Sequence, residues 1–590
     1  MEKIKKKKKL NNQNQNNMDQ KPIIYQLIPR LFTNYTVECV HGGSILQNGS
    51  GKLNDINCEI LKSIKELGVT HVWYTGVLEH AHCSDYTRYG IPKDNPHVVK
   101  GLAGSPYAIK DYYDIDPDIA ENVPDRIKEF ENLVARTHDA GMKVIIDFVP
   151  NHVARQYHSD AAPAEVEDFG SKDDNGLGFS PNNNFYYITR QLFAPSVDMG
   201  AGKDAYVEFP AKATGNDCFT AFPGQCDWYD TVKLNYGVDY ANWSHHFSPI
   251  PDTWYKMLDI LLYWVSKGVD GFRCDMAHMV PIEFWHWAIG AVKQHNPHVI
   301  FIAELYDTGI YRNFIHTGGF DYLYDKVNLY DTLRGIQTAN YSAAQLTGCW
   351  QTVEGIGDNM LNFLENHDEQ RFGSQFYAGA AEKVIPSLVV SSMIGSGAMM
   401  IYMGQELGES ATDAEGYSGH DGRTTIYDYW SIESLRNWLN NGSPSEDNLT
   451  DRQKWLRGKY VRILNLCNSE KAFANGRFFD LMYVNYENPT LNPHRQYVFM
   501  RSLGDETIII AVNFSDDAGD LKINLPQHAF EVLQIPQGKA KMTELLTNSK
   551  AVKHIADSHP FEVSVEPWGA AIWKVKHKNI SPVKEKNGDV

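Results

Sequence analysis

The stretch Lys143-Val-Ile-Ile-Asp147-Phe-Val-Pro-Asn151-His152 decides the fold. Its β-branched run has no polar alternation, so it reads as a strand covered on both faces, the mark of a parallel sheet flanked by helices. A helical stretch, Arg126–Ala140, precedes it. Further upstream Val69–Val77 and Ile23–Phe32 are strand-like, with a helical Asp55–Leu67 between them. Downstream comes a long stretch rich in Gly, Asn, Asp and Pro, from about Ala154 to Tyr240, with little helical period. Alternation then resumes with helix Thr253–Ser266, strand Gly271–Met276 and helix Pro281–His295. Val299–Tyr306, Met360–Glu365 and Ala398–Gly404 read as strands, Glu382–Ile394 and Gln453–Leu466 as helices. One further strand is inferred near Phe320–Lys326. Strands alternating with helices imply right-handed crossovers, and eight such units close a (β/α)8 TIM barrel. The open doubly wound alternative announces itself by a Gly-rich turn after an early strand, and none is present. Gly200-Ala-Gly-Lys203 lacks the first Gly and the final Ser/Thr of a P-loop.

Past about Asn475 the pattern changes to short β-rich runs, Tyr497–Ser502, Thr507–Asn513, Leu521–Leu525 and Ala570–Val575, with Gly504-Asp505 a hairpin turn. The expected organisation is a disordered extension over 1–20, a barrel over 21–152 and 241–476, an irregular inserted subdomain over 153–240 after the third strand, an all-β C-terminal sandwich over 477–577 and a tail over 578–590. The length of 590 residues suits several domains. With 43% hydrophobic and 22% charged residues, the chain has the composition of a globular protein rather than a disordered one. The net charge of −18 argues against nucleic acid as a partner. Residues 1–17 carry six Lys and one Glu without an apolar segment behind them, so they do not read as a signal peptide. No run is long and apolar enough to span a membrane. Eight scattered Cys fit a reducing cytoplasm, although Cys218 and Cys226 share a loop and could pair in an oxidising one.

Polar residues that directly follow barrel strands are the candidates for chemistry. Four clusters do so: Asp147–His152, Gly271-Phe-Arg273-Cys-Asp275, Ala303-Glu304 and Glu365-Asn-His367-Asp368. Asp275 and Glu304 are 29 residues apart, about one strand-helix unit, and Glu304 and Asp368 are 64 apart, about two. Asp147 and Asp275 are 128 apart, and the excess coincides with the irregular insertion. Three carboxylates are therefore expected to converge on one pocket. Arg273, two residues before Asp275, shares its strand face and should hold that carboxyl ionised, while Glu304 beside it should keep a proton. One ionised and one protonated carboxyl suit retaining glycoside hydrolysis.

At these residues the sequence resembles the alpha-amylase family of retaining glycoside hydrolases (glycoside hydrolase family 13), and the four clusters match its signature regions in order. The resemblance implies Asp275 as nucleophile, Glu304 as general acid/base and Asp368 as the third carboxylate. It further implies Arg273, His152, His367, Tyr107 and Asp111 as substrate-binding residues and an α-glucan or maltooligosaccharide as substrate. Hydrolysis of α-1,4-linked glucose oligomers is the leading expectation. A transglycosylase or isomerase with the same triad, or a non-catalytic binding member, are the alternatives. Where many family amylases have Lys-His after the nucleophile, this chain has His278-Met279, and Tyr306 replaces a frequent Trp. Asn151 matches a calcium ligand of many amylases, but Lys233 stands where an Asp ligand is usual, so no cofactor is expected to be required and an ammonium is expected in place of calcium. The loop Glu79-His80-Ala-His82-Cys83 has zinc-ligand residue types without a fourth ligand at a suitable spacing, so no metal site is assigned and the loop is expected to border the pocket. Trp228, Trp243 and Trp430 are placed in loops that could reach the cleft, with packing the commoner role.

Overall fold

The structure, a computed structural model, describes residues 20–412 and 419–577. The expected N-terminal extension, except Gln20, and the C-terminal tail lie outside the described residues. Eight parallel strands close a barrel: β1 (Ile23–Leu27), β2 (His71–Tyr74), β3 (Lys143–Phe148), β4 (Gly271–Cys274), β5 (Ile300–Ala303), β6 (Tyr322–Tyr324), β7 (Met360–Phe363) and β8 (Ala398–Tyr402). Neighbours in sequence are neighbours in the barrel, and β1 closes it against β8. β1, β2, β4, β7 and β8 are buried along their whole length, as strands between a packed interior and a helical coat must be. The strand near Phe320–Lys326 is present but only three residues long. Strand β1 is shorter than expected: Pro29 opens a helical turn, Pro29–Phe32, because its fixed φ suits the first helical position.

Helices α1 (Cys58–Glu66), α2 (Arg126–Asp139), α3 (Asp252–Ser266), α4 (Ile282–His295), α5 (Ile385–Met393) and α6 (Asp451–Ser469) coat the barrel. The connection from β3 to α3 holds only short strand pairs and a single 3-10 turn. One pair, His152–Ala154 with Thr231–Lys233, joins the beginning of this insertion to its end and sets His152 opposite Lys233. The insertion therefore starts and finishes at the rim of the barrel beside β3.

The C-terminal region forms two antiparallel sheets. Strands β9 (Arg477–Asp480), β10 (Gln496–Leu503), β11 (Glu506–Asn513), β13 (Gly538–Glu544), β14 (Lys550–Ile555) and β16 (Gly569–Lys576) make the larger in the order β9-β10-β11-β16-β13-β14, and β12 (Gly519–Ile523) pairs with β15 (Phe561–Val565) in the smaller. Gly504, at φ +60°, makes the expected two-residue hairpin between Leu503 and Glu506. A helix, Gln527–Leu533, follows Pro526 and buries Ala529, Phe530 and Leu533 on one face. No helix among the described residues is long and apolar enough to cross a membrane.

Candidate active site

Strand register assembles the site. Cys274 pairs with Ala303, so Asp275 and Glu304, each the first residue past its strand, leave the barrel side by side. Arg273 pairs with Asp147 on the other flank. The buried Arg273 guanidinium then binds both acids, NH1 to Asp275 Oδ1 at 2.6 Å and NH2 to Glu304 Oε1 at 2.8 Å, with Asp147 Oδ1 at 3.5 Å. Trp73 Nε1 donates to the other oxygen of Asp147 at 3.0 Å. Met276 adopts the left-handed conformation (φ +43°), and its N–H donates to Glu304 Oε2 at 2.8 Å. Such backbone is costly for a side-chain-bearing residue and clusters at functional sites. Tyr306, in place of the family's frequent Trp, donates its hydroxyl to Glu304 Oε1 at 2.6 Å.

Asp368 lies beyond β7, with His367 Nε2 at 3.0 Å from its Oδ2. Burial acts to raise its pKa, but His367 and then Arg273 and Arg423 outweigh it and lower it to about 2. His367 is stacked on Tyr107 at 5.2 Å between centroids and also contacts the Tyr107 hydroxyl through Nε2 at 2.6 Å. Gln26, at the end of β1, donates its amide to His367 Nδ1 at 2.7 Å and to Thr75 Oγ1 at 3.0 Å. His152 is buried, and its pKa falls to about 3 through burial and then the Lys233 and Lys100 charges, so the ring is neutral.

A cavity of about 350 Å³ opens here, lined among others by Tyr107, His152, Trp228, Asp275, Glu304 and Asp368. That volume is in the range of small-molecule sites, about 300–1,000 Å³. The three acids expected to converge do so, with Arg273 and His367 directly behind them. Three expectations are corrected. Asp111 is fully buried away from the cavity; its carboxylate accepts Tyr113 N–H at 2.8 Å, Ser159 Oγ at 2.7 Å and the N–H groups of Asp160 and Ala161, so it fastens the start of the insertion. Asp275 is not held in the low range by Arg273: burial and the adjacent Glu304 charge push it well above the usual carboxylate value, with Arg273 opposing. The Glu79–Cys83 loop does not line the cavity. Of the three tryptophans, Trp228 reaches the cavity, Trp430 is buried and Trp243 is exposed.

Lys233 is fully enclosed at the foot of the insertion. Its ammonium donates to Asn151 Oδ1 and to Met279 O at 3.2 Å and pairs with Asp217 at 2.7 Å. All eight cysteines, including Cys218 and Cys226, are unpaired. Sequence reasoning missed Gln26 and Trp73 as parts of the site and singled out Asp147 without giving it a role. Only Asp147 carried a signal, as an acid ending a strand.

A closed parallel barrel with three carboxylates and one guanidinium at its rim suits the class of carbohydrate-active enzymes. Residues 26–456 match the model of the alpha-amylase catalytic domain, and the chain belongs to the alpha-amylase family. It is 25% identical over 357 residues to the alpha-amylase MalA of Haloarcula japonica, across 59% of this chain and 40% of that protein. A 68-residue segment is 43% identical to an alpha-1,4-glucan:maltose-1-phosphate maltosyltransferase of Cereibacter sphaeroides, 12% of this chain and 11% of that one. The chain thus spans well under half the length of both curated relatives. The alpha-amylase of Geobacillus thermoleovorans, solved with acarbose, has the same fold, with a TM-score of 0.61 at 18% identity over 95% of this chain and 99% of that one.

Proposed function

We propose that the protein is a retaining hydrolase of α-glucosidic bonds in α-1,4-linked glucose oligomers. One observation carries this reading: a single buried guanidinium holds Asp275 and Glu304 together at the wall of a sugar-sized cavity that Asp368 also faces. Two carboxyls held at 2.6 and 2.8 Å by one guanidinium favour the retaining arrangement, about 5–5.5 Å apart, over the wider spacing of inverting enzymes.

In the first step the Asp275 carboxylate attacks the anomeric carbon while Glu304 gives its proton to the departing glycosidic oxygen. In the second, Glu304 takes a proton from water, the water oxygen bonds the anomeric carbon, and Asp275 leaves as carboxylate. The step calls for Asp275 as carboxylate, which the Arg273 guanidinium favours against burial and the Glu304 charge, and for the proton on Glu304 beside the leaving oxygen. Asp368 and neutral His152 then hold the ring hydroxyls. Asp275→Ala is expected to lower kcat by at least about 10³-fold with the far-UV spectrum unchanged, since it removes the covalent step. Glu304→Gln should recover most of its loss on aryl glycosides with good leaving groups. Near wild-type turnover by Asp275→Ala would overturn the assignment.

The maltosyltransferase segment supports a second reading, transfer to a sugar hydroxyl. Maltotriose separates the two, because transfer yields longer oligomers and hydrolysis only shorter ones. The unpaired cysteines fit work in a reducing compartment.

A further inference from the structure

Behind the cavity wall, the loop that follows β2 carries a second group of polar side chains with no part in the chemistry above. His82 is 2% exposed, and Asp116 and Asp118 are fully buried. One ligand atom from each lies within 4.8 Å of the other two. Neither ring nitrogen of His82 has a hydrogen-bond partner among the described residues, and Asp116 Oδ2 has no aligned donor although His80 Nδ1 stands 2.8 Å away. A buried imidazole with neither nitrogen satisfied, set within 4.8 Å of two buried carboxylates, calls for a group between them.

We propose that His82, Asp116 and Asp118 bind a divalent transition-metal ion of the zinc class. Zinc ligands sit about 2.0–2.2 Å from the ion, so two of them flank it at roughly 3.3–4.4 Å, and small side-chain rotations close the present spacing. One nitrogen and two oxygens suit such an ion, whereas calcium asks for six to eight oxygens.

The surroundings are those of a prepared site. Tyr86 and Tyr429 donate their hydroxyls to the two Asp118 oxygens at 2.8 and 2.6 Å, fixing the carboxylate, and His80 stands against Asp116. The nearby cations are otherwise engaged. Arg30 contacts His80 Nε2 at 3.0 Å, and Lys52 donates to the backbone oxygen of Asp118 at 2.6 Å. The adjacent group Glu79, Asp111, Asp114 and Asp160 differs, because Arg126 binds Asp114 and Lys110 lies 3.6 Å from Glu79, supplying positive charge from within. Arg30 also donates to Ala103 O at 3.0 Å, and Ala103 N–H donates to Tyr427 O at 3.1 Å. Ser105, Tyr107 and Tyr427 line the catalytic cavity. A bound ion would therefore brace the wall on which the sugar rests.

The test uses the full chain without a histidine tag, stripped with dipicolinate and titrated with zinc against a chromophoric chelator. One tight equivalent is expected, together with a higher Tm in zinc but not in calcium, and cobalt should give the visible absorption of a tetrahedral site. His82→Ala and Asp118→Asn should each lose that equivalent and the cobalt bands. If His82→Ala does not fold, Asp118→Asn decides the location. Only a substoichiometric trace bound by the wild type, or a full equivalent kept by a folded variant, overturns the proposal.

Discussion

Gln26 shows how a single amide fixes the His367 ring from behind. Its Nε2 donates to His367 Nδ1, so the ring proton sits on Nε2, which faces Asp368 and the Tyr107 hydroxyl. Remove the amide and the imidazole is free to carry its proton on the wrong nitrogen or to rotate off Tyr107. Gln26→Leu is therefore expected to lower kcat/KM by about 10- to 100-fold, the cost of misplacing a contact group by about an ångström. The fold should survive, because the side chain lies within the barrel among other buried residues. Kinetics on a maltooligosaccharide together with a thermal melt check this: a loss of kcat/KM with an unchanged Tm marks a positioning role, whereas a matching fall in Tm would indicate a packing defect instead.

At the scale of elements, the antiparallel pair closing the insertion matters most, since it sets Lys233 beside Asn151. Three oxygens, Asn151 Oδ1, Met279 O and Asp217 Oδ1, converge on one ammonium. Burial lowers the Lys233 pKa, with Asp217 opposing. Cutting the side chain back leaves the oxygens without a cation. Lys233→Ala should thus lose about 1–3 kcal/mol of stability for each buried acceptor left without a partner, and should regain part of it in millimolar calcium, whereas the wild type gains nothing from calcium. Thermal melts of both proteins with and without calcium decide it.

The same scale shows what could be read from the sequence. Barrel strands such as β3 and β8 were legible because burial on both faces makes them uniformly apolar. Strand β6, three residues long, had to be inferred from the count of units. Pro29 marked the true end of β1, and Pro526 marked a helix that neighbouring β-runs concealed. The acids Asp275, Glu304 and Asp368 stood out because each follows a strand at the rim. Gln26 and Trp73 did not, because a polar or aromatic residue inside a strand looks the same whether it supports a site or packs. Asp111 has the right residue type, but its carboxylate serves the Ser159–Ala161 loop, and only coordinates reveal that. The His82 group was hidden for a related reason: two of its members come from a turn some 35 residues further on.

At the scale of the whole molecule, barrel and C-terminal sheets are joined through the segment that enters β8. Lys21, just before β1, donates to Ser392 O and Gly395 O, both at 2.7 Å. Arg501, buried in β10, donates to Ile394 O at 2.9 Å, Ser396 Oγ at 2.6 Å and Ala472 O at 3.1 Å. Burial lowers its pKa to about 10, so it remains a cation at neutral pH. Two cations from opposite ends of the chain therefore satisfy carbonyls of one turn, and the strand that closes the barrel cannot loosen without disturbing the sheet domain. Arg501→Met keeps most of the volume but leaves those acceptors unpaired, at about 1–3 kcal/mol for each buried one that finds no new partner. The wild type is expected to unfold in a single transition in urea, with fluorescence and far-UV dichroism superimposed. In Arg501→Met the two probes should separate, the sheet domain melting first, while kcat at low temperature stays near the wild-type value because the cavity is at the other end of the barrel. Superimposed curves in the variant would mean that apolar packing, not this charge, couples the two parts.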